Sequence, residues 1–171
     1  LGIPCTAPPW GKLVAVDLAQ GRVAWEVPLG SVHEMGPFPL PWHINWGTPN
    51  LGGGLVTDGG VFFIGATMDR QFRAFDVRDG RQLWSRELPI DATATPMSYA
   101  LHGRQYVLIN AGGHAMYNRG TGDHLIAFAL PAEARIASRR SRGSARWVAR
   151  FARTIVARVE CYKTTHNIAF T

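Results

Sequence analysis

The sequence predicts an all-β fold of four-stranded antiparallel units stacked against one another, and three observations carry that expectation. The chain has 171 residues and is 46% hydrophobic, enough to bury a core, yet it holds Gly 19, Pro 11 and Trp 6. Helices tolerate such punctuation poorly, whereas short strands joined by tight turns depend on it. Alternating apolar and polar runs recur along residues 13–130, the period of half-buried strands. Finally, Ala15, Asp17, Gly21 and Trp25 in AVDLAQGRVAW return with the same spacing as Ala74, Asp76, Gly80 and Trp84 in AFDVRDGRQLW, 59 residues later.

Each copy of this A-x-D-x-x-x-G-x-x-x-W pattern reads as a strand, a turn in which Gly supplies positive φ, and a second strand whose Trp packs on a neighbouring unit. The first copy predicts strands at 13–18 and 23–27. Around the second copy the alternation predicts a complete unit, with strands at 54–57, 61–66, 72–77 and 82–88 and a turn at Asp58-Gly59-Gly60. Strands at 96–101, 105–110 and 124–130 follow, leaving that last unit one short. One such unit cannot bury both faces, so radial stacking into a β-propeller is the predicted solution. About two and a half blades are present where a closed ring needs at least about four. In a closed ring the missing strand comes from the other end of a longer polypeptide. Leu1 stands where an initiator Met would, which also points to an upstream part.

Segment 36–54, GPFPLPWHINWGTPNLGGG, has no period and is read either as a functional loop or as a surface excursion. From residue 132 the text changes. Residues 1–131 carry nine Lys/Arg and ten Asp/Glu, whereas residues 132–171 carry nine Lys/Arg and only Glu133 and Glu160. The net charge of +6 therefore belongs to the tail. The body lacks the basic stripe with interleaved aromatics that binds nucleic acid, and no such partner is expected for residues 1–131. The tail admits two readings, a basic amphipathic helix for an anionic surface and an Arg/Ala-rich appendage or out-of-frame extension; the second is favoured.

Several chemistries are excluded by spacing. Cys5 and Cys161 are too few and too far apart for a disulfide framework or a zinc site. Gly52-Gly53-Gly54 lacks the following Lys-Ser/Thr and precedes a strand, so it is no phosphate loop. There is no G-x-S-x-G, and the six His residues show no metal-ligand spacing. No run approaches the ~18 apolar residues of a membrane span, and residues 1–10 lack the regions of a signal peptide.

With the repeat in hand, the chain resembles the quinoprotein dehydrogenases, eight-bladed propellers that bind pyrroloquinoline quinone (PQQ) and carry a tryptophan-docking motif like the two paired segments. Within that group, PPWGKLVAVDL, GTPNLGGGLVTDGGVFFIGATMD, TPMSYALHGRQYVLINAGGH and GDHLIAFALP are similar to the C-terminal end of membrane-bound glucose dehydrogenase and its relatives acting on quinate, shikimate and other polyols. The resemblance covers residues 4–131, and residues 1–131 are read as the last blades of such a propeller. The tail 132–171 has no counterpart in the family.

What the resemblance implies is a sugar or polyol dehydrogenase on the periplasmic side of the bacterial inner membrane. A carboxylate base takes the substrate hydroxyl proton while hydride passes to the quinone beside Ca²⁺ or Mg²⁺, and electrons leave to ubiquinone. Base and metal ligands lie upstream in the family, as do the remaining blades, so no catalytic or metal-binding residue is assigned here and the isolated chain is expected to be inactive.

Cofactor-binding residues are assigned by position. Gly112, Gly113 and His114 follow a strand end; by themselves they read as a Gly-rich turn with a solvated His, and the resemblance puts them beside the quinone. Asp69 reads as a turn carboxylate, and the resemblance brings it near the cofactor, where it would act by orienting a donor or tuning charge. Asn50 and Leu51, flanked by Thr48 and Gly52, match the stretch that approaches the quinone face. Trp42, His43 and Trp46 either wall an entrance or pack internally, while Trp25 and Trp84 are expected between blades. A non-enzymatic propeller scaffold is the rival reading, and a basic lipid- or nucleic-acid-binding module built on the tail is a third.

Overall fold

The computed structural model describes residues 5–35, 39–114 and 120–130. The tail 132–171 and Cys161 lie outside the described residues, as does the start of the aperiodic segment at 36–38. Among the described residues the elements are nine strands and one 3-10 turn: β1 (Lys12–Asp17), β2 (Arg22–Pro28), the turn Val32–Glu34, β3 (Gly54–Val56), β4 (Val61–Ile64), β5 (Gln71–Asp76), β6 (Gln82–Glu87), β7 (Met97–Leu101), β8 (Arg104–Gly113) and β9 (Thr121–Ala129). They form three meandering sheets, β1-β2, β3-β4-β5-β6 and β7-β8-β9, in which every pair is antiparallel. The all-β, two-and-a-half-blade reading stands, with strand ends moved by at most three residues.

The register explains the repeat. Ala15 pairs with Trp25 and Ala74 with Trp84, and each pairing is followed by the same irregularity, at Ala15/Val16 and at Ala74/Phe75. Hence β1-β2 is the outer half of a unit equivalent to β5-β6. The Asp of each copy is the turn's acceptor: Asp17 Oδ1 takes the Ala19 and Gln20 amides at 2.9 and 3.1 Å, and Asp76 Oδ1 takes the Arg78 amide at 3.0 Å. Gly80 sits at φ 71°, and a Cβ there would stand 2.5 Å from the Trp25 ring. That indole, from the preceding sheet, also donates Nε1–H to the Val77 carbonyl at 2.9 Å.

Two apolar clusters glue the sheets together. Leu29, Ile64, Ala66 and Phe75 join the first sheet to the second. Phe63, Phe72, Ala74, Leu88, Val107, Ile109, Ala111, Ile126 and Phe128 join the second to the third. Within the larger cluster, Trp84 stands edge-on to Phe128 and Phe72, with ring centroids 5.2 and 5.9 Å away. Phe72 is wholly buried, worth about 2–3 kcal/mol of transfer free energy for a side chain of that size.

Antiparallel alternation then sorts the connections. Residues 29–35 and 39–53, link 88–96, loop 65–70 and the residues flanking the β8–β9 connection at 113–114 and 120–121 lie at one end of the strands. The turns at 18–21, 57–60, 77–81 and 102–103 emerge at the other.

Candidate functional site

Every residue assigned to the cofactor falls at the first of these two ends. Asn50 and Leu51 lie on the link from β2 to β3, Asp69 lies on the β4–β5 loop, and Gly112, Gly113 and His114 close β8. Main-chain hydrogen bonds tie these segments into one rim. The Thr48 amide donates to the Leu29 carbonyl at 2.9 Å, Leu51 to Ala66 at 2.9 Å, Ala66 to Ala92 at 2.7 Å, and Gly113 to Asp91 at 2.9 Å.

Glycine makes this approach of backbones possible. Gly52 has φ 135°, and a Cβ on it would stand 2.4 Å from the Thr93 carbonyl oxygen; one on Gly65 would stand 2.6 Å from that of Ala92. Gly113, at φ 72°, would meet the Gly120 carbonyl at 2.3 Å and the Ile90 side chain at 2.9 Å. Glycine at 113 is therefore demanded by the loop itself, whatever ligand approaches it. Two non-glycine residues of the β4–β5 loop, Ala66 and Arg70, also have positive φ, 56° and 55°. Each such conformation costs about 1–2 kcal/mol, and such strain persists where surrounding contacts over-determine it. Here the contacts are the Ala66 bonds above and the Leu88 amide on the Arg70 carbonyl at 2.7 Å.

Asp69 is more than a turn carboxylate. It is buried, as are Arg73, Thr67, Ser31 and Thr48. Its Oδ1 accepts from Thr67 Oγ1 at 2.6 Å and from Arg73 Nη1 at 3.0 Å, and Oδ2 accepts from the Ser31 amide at 2.7 Å and from Arg73 Nη2. Burial by itself would push the carboxyl pKa up. The Arg73 hydrogen bond and charge, with the Thr67 hydroxyl and the Ser31 amide, outweigh burial and hold it below the ordinary aspartate value. Thr48, completely buried, accepts the Met68 amide on Oγ1 at 3.3 Å.

Sequence reasoning missed Arg73, Ser31 and Thr67. The available signal was an arginine inside the otherwise apolar run of QFRAFD, since a cation in the middle of a buried strand requires an anion. It also missed Arg70, whose guanidinium binds both Glu34 carboxylate oxygens and lies 3.1 Å from Glu87.

The aromatic residues divide. His43 stacks on His33 at 4.4 Å and Trp46 stands edge-on to Trp10 at 6.1 Å, inside the first link and its neighbour. Trp42 and Trp46 remain about half exposed, and Leu51 is 37% exposed.

A flat polyanion requires main chain at close range, polar donors and no uncompensated carboxylate. The rim has glycine main chain at Gly112 and Gly113, and Arg73 neutralises Asp69. Among the described residues no three His, Cys, Asp or Glu side chains gather where they could hold a metal ion, and no helix is long and apolar enough to cross a membrane.

Comparison with known proteins agrees with this architecture. A family model described as PQQ, glucose/ethanol/alcohol dehydrogenase, β-propeller domain, matches residues 1–107. Quinoprotein glucose dehydrogenase A of Acinetobacter calcoaceticus is 45% identical over 133 residues, 77% of this chain and 16% of that protein. The protein named probable quinate dehydrogenase (quinone) of Xanthomonas campestris pv. juglandis is 47% identical over 135 residues, 77% of this chain and 17% of that protein. The glycerol dehydrogenase large subunit of Gluconobacter thailandicus is 45% identical over 133 residues, 76% of this chain and 18% of that protein. The chain thus spans under a fifth of the length of each of these relatives.

Proposed function

Because this chain belongs to the glucose/ethanol/alcohol dehydrogenase family of PQQ β-propeller proteins, we propose that its rim forms one arc of a PQQ site in a sugar or polyol dehydrogenase. Asn50, Leu51, Gly112, Gly113 and His114 are the contact residues, and Asp69 acts from behind them. The observation that carries the reading is the convergence of all six on one hydrogen-bonded rim. Bound PQQ supplies a two-electron acceptor for hydride from a carbinol carbon. The protein's part here is to present amide and imidazole donors to the cofactor's oxygens and to keep its own carboxylate neutralised beneath them.

Relatives named for glucose, quinate and glycerol support a polyhydroxylated substrate, with glucose the first choice. We place the assembled enzyme on the periplasmic face of the bacterial inner membrane, passing electrons to ubiquinone. Its Ca²⁺ or Mg²⁺ ligands and its catalytic base are assigned outside these residues, and the chain alone is expected to reduce no dye with glucose.

Thermal melting of the chain with and without PQQ tests the site. PQQ is expected to raise Tm, and His114→Ala to abolish the rise. An unchanged rise in His114→Ala, or none in the unsubstituted chain, removes the proposed contact. Gly113 is the wrong probe, because Gly113→Ala strains the loop in either state.

A further inference from the structure

The buried ion pair beneath the rim holds a segment remote from it in sequence. We propose that Arg73 is a positioning residue that acts through Asp69 to fix the main chain at Ser31, setting the start of link 29–53 against the β4–β5 loop. With it comes the register of Thr48, Asn50 and Leu51 at the rim. For its consequence at the cofactor the proposal rests on the PQQ reading; the tether itself does not.

Topology aims Arg73 at this task. It lies in β5 on the same face as Phe75, toward the first sheet, while Phe72 and Ala74 face the other way into the larger cluster. Its side chain is 8% exposed and that of Asp69 is 1% exposed. Arg73 Nη1 reaches Thr67 Oγ1 as well as Asp69 Oδ1, both at 3.0 Å, and Nη2 reaches Oδ2. The Gln71 amide adds a longer bond to Oδ1, 3.3 Å. Counted with Thr67 and Ser31, the donors leave the carboxylate no direction open for a further partner. Asp69 therefore acts through what it already holds.

The chemistry of the pair points the same way. A buried ion pair is seldom more stabilising than well-packed apolar side chains of equal volume, so stability alone does not account for it. What the planar guanidinium supplies is direction: a forked donor that fixes the carboxylate plane, leaving Oδ2 facing the Ser31 amide at 2.7 Å. Two apolar residues would fill the same volume and leave that amide without an acceptor. The effect then passes along the link. Next to Ser31, the Gly30 carbonyl takes the Gly47 amide at 3.0 Å and the Leu29 carbonyl takes the Thr48 amide at 2.9 Å. Thr48 packs on Gly30 so closely that a Cβ at residue 30 would stand 2.5 Å from its Oγ1.

Amide hydrogen exchange of the full chain, read residue by residue by NMR, decides the matter. In Arg73→Met the Ser31 amide is expected to exchange faster by on the order of tenfold or more, the loss of one charge-assisted bond. The Ala66 and Gly113 amides, which donate to carbonyls of the other link, should keep their original rates. Equal acceleration at all three, or unchanged exchange at Ser31, overturns the proposal. Should Arg73→Met fail to fold, Arg73→Lys carries the test: it keeps the charge but loses the fork, and Ser31 should still exchange faster than in the unsubstituted chain. Added PQQ separates the two readings. If the unsubstituted chain takes up PQQ and Arg73→Met or Arg73→Lys takes it up equally well, the positioning role is overturned and the rim reading survives. If the unsubstituted chain takes up none, the rim reading falls, and the exchange pattern alone still decides the tether.

Discussion

The links 29–53 and 88–96 perform one topological task, carrying the chain from the outer strand of one sheet to the inner strand of the next, and they are secured by different physics. The short link is held by contact with main chain. Ala92 and Asp91 offer their carbonyls to Ala66 and Gly113, Leu88 and Ala92 are buried in the larger cluster, and Gly52, Gly53 and Gly65 let it lie flat across its neighbours. The long link is held by side chains as well. Asp69 grips the Ser31 amide, Thr48 receives the Met68 amide, and Glu34 is clamped by Arg70. A short crossing closed largely by backbone tolerates few substitutions. A long one needs ionic chemistry to be placed at all, and in return it can carry exposed groups such as Trp42, Trp46 and Leu51 to the rim.

The largest expected effect breaks the long link at its anchor. Asp69→Ala leaves the Arg73 guanidinium buried without its anion and should destabilise the chain by about 3–5 kcal/mol in urea unfolding. The same pair gives the acid dependence its sign. Since the folded-state pKa of Asp69 lies below its ordinary value of 3.8, its contribution is complete above that pH and is lost as pH falls below it. Unfolding between about pH 5 and pH 3 should therefore show the unsubstituted chain losing more stability than Asp69→Asn. A flat difference between the two across that range would mean that the pair carries no such linkage.

A smaller loss is expected where the long link lies against the short one. Gly52→Ala forces a Cβ to within 2.4 Å of the Thr93 carbonyl at φ 135°, and the strain should cost roughly 2–3 kcal/mol by the same unfolding measurement. An effect under about 1 kcal/mol would show that the 88–96 backbone yields and that close main-chain contact does not secure the short link. Smallest is Glu34→Gln. It weakens a partly exposed ion pair with Arg70, and about 0.5 kcal/mol is expected, shrinking in high salt. A loss as large as that of Asp69→Ala would move the anchor of the long link from Ser31 to the 3-10 turn.

Within the candidate site, legibility followed sequence distance. Gly112, Gly113 and His114 form one local string at the end of β8, three residues beyond the strand end the sequence predicts, and Asn50 and Leu51 lie within another, so a linear reading isolates them. The reason for glycine at 113 was not legible, because it lies in the Gly120 carbonyl and the Ile90 side chain. Likewise Asp69 looked like a turn residue because its neighbours in sequence form a turn. Its acceptor role toward Ser31 spans 38 residues, and no local pattern encodes that distance.

By itself the sequence determined the strands, their hairpins and the order of the sheets. Alternation of side chains, the Asp acceptor of each turn and the left-handed glycine act over a few residues and repeat wherever the pattern repeats. Only the tertiary structure decided that the six assigned residues share one rim and that Arg73 stands behind them. Both follow from packing one sheet face on the next, which brings together groups that short-range backbone preferences leave unrelated.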